Sequence, residues 1–139
     1  MEATNATAEV NEFRSKKGLP AFEEDLCLVE AAKACALVRA EKHHAGHTKN
    51  DFLYLPEGCR ADAAGCAAMT PDWGWHSCCD SEAWKYGGAA VVMSEDGMRY
   101  MHLFVRETVG RVRAWLPYDQ TGEVQHHPRD TKCFAIQWP

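Results

Sequence analysis

Histidine and cysteine are the side chains here whose types and spacing could do chemistry. In "AEKHHAGHTKND", residues 40–51, three of the chain's seven histidines, His43, His44 and His47, fall within five positions. On one continuous helix His43 and His47 would share a face, as the two imidazoles of many zinc sites do. Gly46 divides them, however. His43 and His44 then read as the last turn of a helix, where histidine meets the negative end of the helix dipole. His47 reads separately, as a candidate binding residue. A second dense patch, "PDWGWHSCCD" at 71–80, holds His76 beside Cys78 and Cys79, with Cys66 upstream. Cys78 and Cys79 with Cys66 and His76 could bind zinc, although no CxxC spacing supports it, and His47 with His76 is the candidate pair for a divalent metal such as zinc. Trp73 and Trp75 read either as a stacking platform for a ligand or as loop packing. A Cys–His pair drawn from Cys66 or Cys79 and His47 or His102, with Glu57 or Asp72 orienting the base, would suit nucleophilic hydrolysis. No local nucleophile motif accompanies it. The carboxylate pairs Glu57/Asp62 and Asp72/Asp80 read as solvated loop charges.

Seven cysteines in 139 residues is a high content, and the odd number leaves one without a disulfide partner inside the chain. Cys27 and Cys35 sit in an alanine-rich, helix-like stretch and read as buried small residues. Cys59, Cys66, Cys78, Cys79 and Cys133 lie in loop-like or terminal sequence and are the disulfide candidates. One or two bridges point to an extracytoplasmic protein, secreted or periplasmic. The opening "MEATNATAEVNEF" has no charged n-region or apolar h-region, so no signal peptide is visible in it. The Asn5-Ala6-Thr7 triplet is a glycosylation sequon, meaningful only in a glycosylating pathway.

Two helices must carry the first of these groups. Ala6, Val10 and Phe13 recur at helical spacing, predicting a helix over 5–17 that stops at Gly18. Glu23, Glu24 and Asp25 suit the positive end of a second helix, expected over 24–42 and ended by Gly46. Leu28, Ala32, Cys35 and Arg39 mark one side of it, with Val29, Ala36 and Ala40 beside them. Residues 50–81 are punctuated by Pro and Gly, with a short helix expected in "CRADAAGCAAM". "GGAAVVMS" and "MRYMHLFVRE" around Asp96-Gly97 predict a β-hairpin. A further hairpin is expected around 119–122, and "CFAIQW" reads as a closing strand.

Three of these pieces, in this order, resemble the CAP superfamily of cysteine-rich secretory, antigen 5 and pathogenesis-related proteins. "VNEFRSKKGLPAF", with Asn11, Arg14, Gly18-Leu19 and Phe22, is similar to that family's first helix and turn. "EDLCLVEAAKACALVRAEKHHAGHT" is similar to its second helix, ending at His47-Thr48. "WKYGGAAVVMSEDGMRYMHLFVR" is similar to its closing strand pair. The resemblance implies an α+β fold, a three-layer α-β-α sandwich with an antiparallel sheet, and a shallow cleft of two histidines and two acidic residues that binds a divalent metal in some members. This chain departs from that pattern. Gly65-Cys66-Ala67 stands where the family has an acidic residue, and the second cleft histidine falls near Arg99 rather than at His102. An offset of three along a strand puts Arg99 and His102 on opposite faces. The four-residue metal site is therefore expected to be incomplete, with His47, Cys66 and His102 left as candidate binding residues. The tail from 107 to 139 has no counterpart and reads as a C-terminal extension of a single CAP-like domain over 1–139.

The net charge of −5 and the lack of a basic stripe exclude a general nucleic-acid binder. No apolar run is long enough to cross a bilayer. The expectation is a secreted, CAP-like, non-enzymatic domain that binds a small molecule, lipid or protein at a cleft near His47. A metal-dependent or Cys/His hydrolase using the same cleft, and a disulfide-supported structural module, are the alternatives.

Overall fold

The structure, a computed structural model, describes residues 1–46, 51–69 and 84–107, together with the strand backbone at 133–136. Helices and an antiparallel sheet combine in an α+β arrangement. In chain order these are β1 (Ala3–Asn5), α1 (Thr7–Lys16), β2 (Glu23–Glu24), α2 (Leu26–Lys42), a 3-10 turn (Asp51–Tyr54), β3 (Ala63–Met69), β4 (Trp84–Met93), β5 (Arg99–Glu107) and β6 (Cys133–Ile136). The sheet runs β1-β4-β5-β3-β6, and β2 joins β4 in parallel along the same edge as β1.

The β4–β5 hairpin forms where two strand-like apolar runs, largely buried on both faces, flank a turn sequence. Gly97 takes φ 83° and donates to the Ser94 carbonyl, while the Asp96 carboxylate accepts from the Met98 N–H. Along β5, Tyr100 and Phe104 join Leu28, Ala32, Cys35 and Ala36 of α2 in one buried cluster. Met101, Leu103 and Val105 join Val10 of α1 and Phe22 in another. Strand side chains alternate between faces, so the two clusters lie on opposite sides of the sheet.

Helix α2 starts at Asp25, whose side chain accepts from the Cys27 N–H. It ends at Lys42, before Gly46. His43 itself adopts the left-handed conformation (φ 52°) that usually falls to glycine, and the His44 N–H returns to the Arg39 carbonyl. Small residues let the helix lie against the sheet. A Cβ added at Gly88 would stand 2.4 Å from the Val29 nitrogen, so β4 runs directly beneath the helix backbone.

The α1–β2 connection is closed by four residues that the sequence singled out. The Arg14 Nε donates to the Pro20 carbonyl at 2.6 Å and its guanidinium lies over the Phe22 ring, 4.1 Å from the centroid. Asn11 exchanges two hydrogen bonds with the Phe22 backbone, and the Leu19 N–H reaches the Arg14 carbonyl.

Three expectations change. "CRADAAGCAAM" is not a short helix: Ala63–Met69 pair with β5 at all seven positions and with β6 from Ala63 to Cys66. Alanine's helical preference is worth tenths of a kcal/mol and yields to two flanking strands. Cys27 does not merely pack, because it is joined to Cys59 in a disulfide with Cα atoms 6.1 Å apart. Asp62 is not a solvated loop charge; it is buried, and its Oδ2 accepts the Glu107 N–H at 2.8 Å. The short strands β1 and β2 had no sequence forecast. The hairpin expected near 119–122 lies outside the described residues.

Candidate functional site

The inner side of α2 carries Leu28, Ala32, Cys35 and Arg39, all buried. Cys35 and Arg39 are one turn apart, so both reach towards the same patch of sheet. There β5 presents His102, fully enclosed, with Cys66 of β3 directly opposite on one side and Ala90 of β4 on the other. The 3-10 turn closes the remaining side. Asp51, 1% exposed, opens that turn, and Phe52 packs against Phe104 with ring centroids 5.7 Å apart. The His102 ring in turn lies 4.6 Å from the Phe104 ring.

One thiol, one carboxylate and one imidazole, those of Cys35, Asp51 and His102, have ligand-capable atoms all within 4.8 Å of one another. The Cys35 thiol also donates to the Asp51 backbone carbonyl at 3.4 Å. Burial pushes the Cys35 thiol well above its ordinary range, the Asp51 charge adds to this, and the Arg39 charge works against both. Burial, and then the Cys35 and Asp51 charges, likewise raise the phenol of Tyr54, which packs against the cluster that contains Cys35.

Arg39 supports the site from the side of the helix exit. With no exposed surface, it donates to the Met101 carbonyl at 2.7 Å and the Gly46 carbonyl at 2.9 Å, and also to the Ala45 carbonyl. The Cys66 thiol lies 4.0 Å from the same Ala45 oxygen. The stretch leaving α2 is thus fastened to both β5 and β3.

Of the candidate binding residues, Cys66 and His102 are brought face to face by strand register, and both are buried. His47 lies outside the described residues, as do His76, Cys78, Cys79, Trp73, Trp75, Asp72 and Asp80. Of Cys133 only the strand position is described, opposite Cys66 in the β3–β6 register. Cys66, a disulfide candidate from sequence, has its side chain buried in β3. Arg99 points to the α1 side, where it pairs with Glu9 and lies 3.3 Å from the Met101 sulfur, while His102 faces α2. His43 caps its helix and lies 3.7 Å from the Asp96 carboxylate. Asp51 and Arg39 were not singled out as site residues by sequence. An arginine on an otherwise apolar helix stripe was a usable signal; nothing marked Asp51.

Comparison of the chain with protein-family models, curated proteins and solved structures finds no match. Among the described residues no helix is long and apolar enough to cross a membrane.

Proposed function

We propose that the chain is a divergent CAP-like domain, secreted or periplasmic, that binds a small molecule, lipid or protein without catalysis where the exit of α2 meets β3 and β5. The observation that carries this reading is the Arg39 anchor. One buried guanidinium ties the carbonyls of residues 45 and 46 to that of Met101, so the backbone is held up to the residue preceding His47. Rigid support of this kind is what a preformed binding site needs. Two further features support the CAP-like part. Asn11, Arg14, Leu19 and Phe22, on which the resemblance rests, close one turn together. The α1 and α2 clusters on opposite faces of the sheet suit an α-β-α layering. The Cys27–Cys59 disulfide suits an oxidising compartment.

The hydrolase alternative has one observation in its favour, the Cys66–His102 register pair. Both residues are completely buried, which denies a substrate access, and binding is therefore preferred over nucleophilic catalysis.

NMR on the intact chain tests the reading. Nuclear Overhauser contacts from the His47 imidazole to Ala45 or Cys66 are expected. Saturation transfer from a panel of sterol, fatty-acid and peptide probes should be strongest for one class and fall at least tenfold in His47→Ala. A His47 ring in contact with solvent alone, or probe binding indifferent to His47→Ala, would overturn it.

A further inference from the structure

We propose that Cys35, Asp51 and His102 form a buried binding site for a zinc-class divalent cation, with a thiolate, a carboxylate and a neutral imidazole as its three protein ligands. This site is independent of the ligand-binding reading near His47, and it differs from the His47/His76 pair suggested by sequence.

Geometry comes first. The three groups arrive from α2, from the 3-10 turn and from β5, three elements far apart in sequence, and their ligand atoms already lie within 4.8 Å of one another. Tetrahedral zinc, with bonds of about 2.0–2.3 Å, sets its ligand atoms roughly 3.3–3.8 Å apart. Closing that difference takes side-chain rotation of about 1 Å, on a scale that leaves helix and strand in place.

Donor chemistry selects the cation. One sulfur, one imidazole nitrogen and one carboxylate oxygen form a borderline-soft set that suits zinc and disfavours calcium and magnesium, which take oxygen ligands. Charge agrees. A thiolate and a carboxylate together balance a dication, and a neutral assembly is what a fully enclosed site tolerates. The nearby Arg39 adds positive charge, but its guanidinium is occupied by the carbonyls of residues 45, 46 and 101.

The step is a ligand exchange with no redox change. The Cys35 S–H bond is replaced by a sulfur–metal bond, and the proton leaves to solvent. The His102 imidazole coordinates through a ring nitrogen in its neutral form. A fourth position remains for water. Cys66 lies across the strand from His102, but its sulfur is not among the three mutually close donors.

The test uses the full chain with its disulfide intact, stripped with a chelator and titrated with Zn²⁺ and with Co²⁺ as a spectroscopic substitute. One zinc per chain is expected, together with a thiolate-to-cobalt charge-transfer band. Cys35→Ala, a replacement suited to an alanine-rich helix, should abolish that band. Asp51→Asn and His102→Gln should weaken zinc at least tenfold, whereas Cys66→Ala should retain it. Because one thiol proton is released, affinity should fall about tenfold for each unit the pH drops. Circular dichroism on each variant separates loss of metal from loss of fold. For any variant that fails to fold, the wild-type spectrum decides. A wild-type cobalt spectrum without a thiolate band, a band that survives Cys35→Ala, or equal loss in Cys66→Ala would overturn the site. None of these outcomes depends on His47, so this proposal and the ligand-binding reading fail separately.

Discussion

Arg39 is a permanent cation with no exposed surface, and it is stable there because three backbone carbonyls receive its planar fork. Removing the guanidinium would leave those carbonyls to find new donors inside the protein. Arg39→Met is therefore expected to destabilise the fold by about 3 kcal/mol, read from urea denaturation. Arg39→Lys should recover less than half of this, since one ammonium cannot reach carbonyls on both β5 and the helix exit. At this scale the sequence was partly legible. Leu28, Ala32, Cys35 and Arg39 were readable as one helix side from their spacing, but not the chemistry of that side. Cys35 read as packing because an apolar stripe gives no sign of what lies across from it. Asp51 follows a stretch of loop sequence, and only tertiary contact brings its carboxylate to Cys35 and His102.

Between elements, α2 lies hard against β4. Leu28 and Val29 lie so near Gly88 that a single methyl group would meet helix backbone rather than a movable side chain. Gly88→Ala should lift the helix and cost about 3 kcal/mol, measurable as a fall in the urea midpoint with little change in slope. The same displacement would draw Cys35 away from His102, so zinc uptake should fall along with stability. Periodicity and caps made α1, α2, the β4–β5 hairpin and the closing strand readable in advance. β3 was not readable in this way. Its run of alanine, glycine and cysteine has no alternation to report, because one face meets α2 and the other meets the α1 cluster, and small residues suit both. β1 and β2 are three and two residues long, too short to carry any pattern.

For the whole molecule, the Cys27–Cys59 bond joins the first turn of α2 to the segment leading into β3, across a separation of 32 residues. Closing a loop of that length removes denatured-state freedom worth about 3–4 kcal/mol. Reduction by dithiothreitol should lower stability by that amount in chemical denaturation, and Cys27→Ala/Cys59→Ala should match the reduced protein. Beyond the bond, the order of the strands has a consequence for how the chain is made. β1 pairs Ala3 with Val92 and β2 pairs Glu23 with Tyr86, so both segments emerge during synthesis long before the strand that receives them. Helix α2 emerges early too, with its inner side bare until β4 and β5 exist. Among the described strands only the β4–β5 hairpin is local in sequence. Such non-local pairing slows folding. A nascent chain halted before residue 84 lacks β4 and β5, the strands against which α2 packs, and its alanine-rich helix is the part most in need of protection while it waits.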